Sequence, residues 1–92
     1  MNSFGEYIRN KREQLKLPQR KVAAKLDIDT SILSKIERDE RSATKEMLPI
    51  LSQILQIPEQ ELQIEFIQFM INQEFGDLKY LSKGLEKVLK EI

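Results

Sequence analysis

Apolar residues recur at intervals of three and four along most of this chain, and no alternation of two is sustained, so the backbone is directed to helices and away from strands. Only three Gly and three Pro punctuate the pattern, and five or six helices fit. The first starts after Ser3, whose hydroxyl can cap while Glu6 reaches back, turns Phe4, Ile8 and Leu15 inward, and ends near Lys16. A second begins around Pro18, presents Val22, Ala23 and Leu26 inward, and closes at Asp27. Asp29 caps a third that runs to about Glu37 with Leu33 and Ile36 inward. Thr44 caps a fourth, turning Leu48, Leu51, Ile54 and Leu55 inward. Pro49 must lie near its first turn, so an irregular start is expected. Pro58 opens a fifth that runs to Phe75; Gly76 ends it and Asp77 caps a sixth.

The last two helices carry more apolar surface than one small domain needs. At about 100° per residue, Leu62, Phe66, Phe69 and Met70 form one stripe of the fifth helix, and Ile64, Ile67, Ile71 and Phe75 form another on the opposite side. In the sixth, Leu78, Leu81, Leu85, Val88, Leu89 and Ile92 share one arc. Folding the sixth helix onto the fifth covers one surplus stripe. What remains calls for a second copy, and Ile64, Ile67, Ile71, Phe75, Leu81, Leu85 and Val88 are the expected dimerisation residues.

The 92 residues contain neither Cys nor His, which excludes disulfides, thiol chemistry, the usual zinc sites and imidazole catalysis. Glu59, Glu61 and Glu65 are of a type that can ligate a metal, but no His, no glycine-rich phosphate loop and no nucleophile beside a base accompanies them. No enzyme, no cofactor and no metal is therefore expected. The N-terminal residues turn charged before any signal-type apolar run develops, and no stretch is long enough to span a membrane, so the expected location is cytoplasmic. Formal charge is zero but unevenly placed. Residues 1–45 hold eleven Lys/Arg against seven Asp/Glu, and residues 46–92 hold four against eight, a split of +4 and −4. Such a molecule has one end suited to a polyanion and another suited to something else.

Two short helices joined by the tight turn "LDID", followed by a helix with a small polar outer face, form a helix-turn-helix arrangement. A helix that lies in the major groove cannot present bulky acids to the flanking phosphates, and it needs donors and acceptors that reach base edges. Thr30, Ser31, Ser34 and Lys35 occupy that outward arc. Lys35 can reach guanine O6 or N7, and the hydroxyls can serve several bases.

From residue 4 to about 62 the chain resembles the lambda-repressor-like, or XRE-type, helix-turn-helix family of phage repressors, Cro proteins and bacterial regulators. The match lies in "IRNKREQLKLPQRKVAAKLDIDTSILSKIERDER" and then "EMLPILSQILQIPEQEL". The resemblance implies an all-α fold: a five-helix DNA-binding domain with a helix-turn-helix over residues 1–62, plus a C-terminal helical dimerisation extension over 63–92. It implies that Gln19 and Arg20 sit over a phosphate, that Thr30, Ser31, Ser34 and Lys35 face base edges, and that Arg38, Arg41 and Lys45 follow the DNA backbone. It also implies that Arg12 and Glu37 pair as structural support. The chain departs from the family where glycine is usual at Asp27 and often at Asp39, where Pro18 replaces a Ser or Thr cap, and where Ile32 replaces a small or polar residue. Packing is the preferred role for Ile32.

The reading is a homodimeric regulator, a repressor in the first instance, of double-stranded DNA with an inverted-repeat operator. Restriction–modification controllers are among the regulators with comparable C-terminal helices. The alternative is an antitoxin or interaction module that uses the fold as a scaffold for a protein partner.

Overall fold

The computed structural model describes residues 3–92 and contains, among them, six α-helices and no strand. The helices are α1 (Phe4–Gln14), α2 (Gln19–Leu26), α3 (Thr30–Glu37), α4 (Leu48–Leu55), α5 (Glu59–Phe75) and α6 (Leu81–Leu89). A single 3-10 turn, Lys45–Met47, precedes α4 and places Pro49 within its first turn, the irregular start that the proline demands. At α1 the Ser3 hydroxyl accepts the Glu6 N–H at 3.1 Å. Asp29 and Thr44 occupy cap positions, but neither side chain makes a capping hydrogen bond.

Four helices end alike, and none of them uses glycine to do so. Lys16, Asp27, Asp39 and Gln56 all adopt left-handed conformations, with φ between 55° and 61°. In each case the next N–H reaches back five residues: Leu17 to Arg12, Ile28 to Ala23, Glu40 to Lys35 and Ile57 to Ser52, at 2.9 to 3.1 Å. This is the Schellman closure, which satisfies carbonyls that the helix leaves unpaired. A non-glycine residue in that conformation costs roughly 1 to 2 kcal/mol. At three of the four ends an apolar residue follows and offsets that cost: Leu17 and Ile28 pack against the core and Ile57 is buried within it. At the fourth end the following residue is Glu40.

Phe4, Ile8, Val22, Leu26, Leu33, Ile36, Leu51 and Leu55 fill the space enclosed by the first four helices, and Leu62 from α5 is completely buried among them. The Phe66 ring meets Phe4 edge-on, with centroids 5.3 Å apart, fastening α5 to α1. Gly5 makes the closest backbone approach. A Cβ there would lie 2.6 Å from Asp39 Oδ1 and 2.8 Å from the Glu37 carbonyl, and closer still to that of Ile36. Only glycine lets the start of α1 meet the end of α3 at this distance.

The C-terminal segment differs from expectation. The sixth helix starts at Leu81 and not at Asp77, because Leu78 and Leu81 close successive turns onto Phe75 and Leu78, leaving Tyr80 as the cap residue. Nor does it fold onto α5: no residue of α6 is buried, and Ile64, Ile67 and Phe75 remain about half exposed. The turn after Gly76 carries α6 away from the α5 stripe that it was expected to cover.

Candidate nucleic-acid interface

The third helix is anchored from below by an ion pair. Glu37 is buried and accepts from Arg12 Nε at 2.7 Å, Arg12 Nη2 at 3.0 Å and Gln19 Nε2 at 2.9 Å. Arg12 Nη1 donates to the Leu17 carbonyl at 2.8 Å, so each guanidinium nitrogen has a partner. The hydrogen bond to Glu37 is the main reason that the Arg12 pKa lies above its usual value. One carboxylate thereby ties together α1, α2 and α3. A second tie comes from Asp39, whose Oδ1 accepts the Gly5 N–H at 3.0 Å.

This anchoring fixes what α3 shows to solvent. Leu33 and Ile36 are buried and Ile32 packs against the core, while Thr30, Ser31 and Lys35 are exposed. Ser31, Ser34, Lys35 and Arg38 fall within an arc of about 100° on the side away from the core. The small hydroxyls keep this arc shallow, and its acid, Glu37, is turned inward. Lys35 is exposed and takes part in no salt bridge among the described residues, so it gives this arc its positive charge.

The flanking residues separate into two groups. Arg20, Arg41 and Lys45 are exposed, and no salt bridge among the described residues involves them. Gln19 and Arg38 are already engaged. The Gln19 amide nitrogen points inward at Glu37, so a phosphate contact from this residue falls to its backbone N–H at the start of α2. Arg38 forms a fork with Glu40, Nε to Oε2 at 2.9 Å and Nη2 to Oε1 at 3.2 Å, and its Nη1 donates to Ser34 Oγ at 2.8 Å.

Among the described residues, no group of three or more His, Cys, Asp or Glu is arranged to hold a metal ion. An open groove of about 660 Å³ between α1 and α5 is lined by Phe4, Tyr7, Glu65 and Phe69 and receives no residue from α2 or α3.

A helix-turn-helix family model matches residues 8–62, more than half of the chain, from the middle of α1 to the start of α5. The chain belongs to the lambda-repressor-like, XRE-type helix-turn-helix family. Neither among curated proteins nor among solved structures was a significant match found.

As a helix-turn-helix protein, the chain carries a DNA-binding domain of the transcription-regulator type, and its partner is double-stranded DNA. No helix among the described residues is long and apolar enough to cross a membrane. Asp27 takes the left-handed conformation for which helix-turn-helix domains generally use glycine. Asp39 does so as well, and its carboxylate gains a bond that glycine could not make. Sequence reasoning missed the Gly5–Asp39 contact. The available signal was a glycine in the second position of a helix, which ordinarily costs about 1 kcal/mol relative to alanine and so marks a close approach.

Proposed function

We propose that the protein is a homodimeric transcriptional repressor that inserts α3 into the major groove of each half of an inverted-repeat operator. The observation that carries this reading is the exposed arc of α3, whose own acid Glu37 is turned inward, flanked by Arg20, Arg41 and Lys45. In this reading Thr30, Ser31, Ser34 and Lys35 contact base edges; Gln19, Arg20, Arg38, Arg41 and Lys45 contact phosphates; Arg12 and Glu37 hold the helix at its angle. Residues 1–62 form the DNA-binding unit, residues 63–92 form the dimerisation unit, and catalysis plays no part. Repression follows from occlusion of a promoter in the cytoplasm.

The dimer is supported by what α5 and α6 leave uncovered. Ile64, Ile67 and Phe75 of α5 are about half exposed, and Leu78, Val88, Leu89 and Ile92 are more than half exposed. Phe75, Leu78, Leu81, Leu85 and Val88 line an apolar crook of about 440 Å³. Seven large apolar side chains at about half exposure or more amount to roughly several hundred Å², on the order of one partner's half of a standard interface. A helix as short as α6 is marginal in water unless its apolar face is covered. A two-fold axis here would space the reading helices about 34 Å apart, one turn of DNA.

The test is selection of bound duplexes from a random pool at two salt concentrations, with the mass of the complex recorded. Enrichment of an inverted repeat by a two-chain complex is expected. Lys35→Ala should then cost about 1 to 3 kcal/mol at one base position, and Arg41→Ala should weaken all sequences alike. Lack of enrichment at either salt would refute the reading and favour a protein partner on α5 and α6.

A further inference from the structure

Glu40 stands on the face that the proposed function assigns to DNA, and it breaks the pattern set by the other helix ends. The residues in the same position after α1, α2 and α4 are Leu17, Ile28 and Ile57, all turned toward the core. Glu40 is exposed and reaches back to grip Arg38 through both carboxylate oxygens. With Nη1 on Ser34 Oγ, each guanidinium nitrogen has a partner inside the protein. A carboxylate held this way has the geometry by which arginine takes a phosphate, two parallel N–H···O bonds to two oxygens.

We propose that Glu40 is a built-in phosphate mimic, an affinity-setting residue that a DNA phosphate must displace from Arg38. The proposal rests on the DNA-binding reading above and adds a residue to it. Its physical content is a matter of counterions. A bare arginine that meets a phosphate releases condensed cations and contributes about −0.9 to the log–log salt slope. Arg38 brings its own counterion, and breaking that pair offsets part of the gain. The pair also engages Ser34: its oxygen already accepts from Arg38, and its O–H remains as the donor that it can offer to a base. Arg38 holds the Glu40 carboxyl below the ordinary glutamate value, so the mimic stays charged near neutral pH.

The test uses the full chain as wild type, Glu40→Gln, Arg38→Ala and the double variant, each checked for folding by circular dichroism. Anisotropy titrations on a selected duplex and an unrelated duplex are run across a salt series. Glu40→Gln is expected to bind both duplexes about two- to fivefold tighter, the scale of one exposed ion pair. Its salt slope should steepen by up to about 0.9, and most of the gain should vanish in the Arg38→Ala background. Unchanged or weaker binding by Glu40→Gln overturns the proposal, as does an equal gain in both backgrounds, which would show simple repulsion at a distance. If the folded wild type and the Glu40→Gln variant both bind no duplex at the lowest salt, the DNA-binding reading fails and takes this proposal with it.

Discussion

Replacing Glu37 by glutamine should destabilise the fold severely, although the two side chains have nearly the same volume. The carboxylate is 3 % exposed and its partner Arg12 only 11 %, so both charges lie largely out of water. Three hydrogen bonds converge on the carboxylate, two of them from Arg12. Glutamine would offer one acceptor oxygen and turn an NH2 toward N–H donors, leaving the guanidinium buried beside no charge. Breaking one side of such a pair costs about 3 to 5 kcal/mol, against a total stability of about 5 to 15 kcal/mol for a domain of this kind. At roughly 4 to 8 °C per kcal/mol for a small domain, the melting point should fall by more than 10 °C. Urea unfolding followed by circular dichroism, at one fixed protein concentration so that association does not intrude, measures the loss. The paired replacement Arg12→Met with Glu37→Leu should recover most of it, since neither charge then remains. A loss below about 1 kcal/mol for Glu37→Gln would refute the reasoning, because that is the scale of a solvated pair.

Other substitutions test the backbone geometry and the orphaned groups. Gly5→Ala should cost about 1 to 3 kcal/mol in the same unfolding assay, because its methyl would overlap the Ile36 and Glu37 carbonyls and Asp39; an unchanged midpoint would mean that α1 and α3 separate freely. Gln56→Gly should stabilise by about 0.5 to 1 kcal/mol, since φ at this residue is 55° and the position lies away from α3; a lower midpoint would count against strain at these helix ends. The Tyr7 hydroxyl is buried without a hydrogen-bond partner, and burial first, then Glu61 and Glu65, push its pKa above the ordinary 10.0. Ionising the phenol is thus disfavoured in the folded chain, so it does not affect stability below pH 10.0 and lowers it as pH rises from there through the raised value. Tyr7→Phe should be neutral or stabilising near pH 7 and should flatten the alkaline loss relative to wild type; a matching loss in both proteins would place the phenol in water.

The helices were legible wherever the signals are local. Ser3, Pro18, Asp27, Asp29 and Pro58 each act on the turn that contains them, and α1, α2, α3 and α5 begin and end within about two residues of where such signals put them, whereas α4 starts at Leu48, because Thr44 occupies the cap of the 3-10 turn Lys45–Met47 and not of the α-helix. The sixth helix was misplaced for the complementary reason. Asp77 is an acceptable cap by type, but the chain instead closes two tight turns that keep Leu78 beside Phe75 in the apolar crook, and a cap preference of about 1 kcal/mol does not outweigh that.

Taken alone, the sequence determined the all-helical fold, the tight turn between α2 and α3 and the polar character of the α3 face, because periodicity, capping and side-chain type act over one or two turns of chain. The tertiary structure decided which polar atoms are spent. Gln19 faces Glu37 from 18 positions away, and Asp39 reaches Gly5 across 34, so neither partner can be read from its neighbours. Arg38 and Glu40 lie only two apart, yet their fork forms because the left-handed turn at Asp39 swings Glu40 back over the end of α3. Local chemistry fixes where a helix runs. Which of its charges remain free for a ligand depends on three-dimensional closure, since a hydrogen bond is gained only when distant backbone segments are held within about 3 Å of one another.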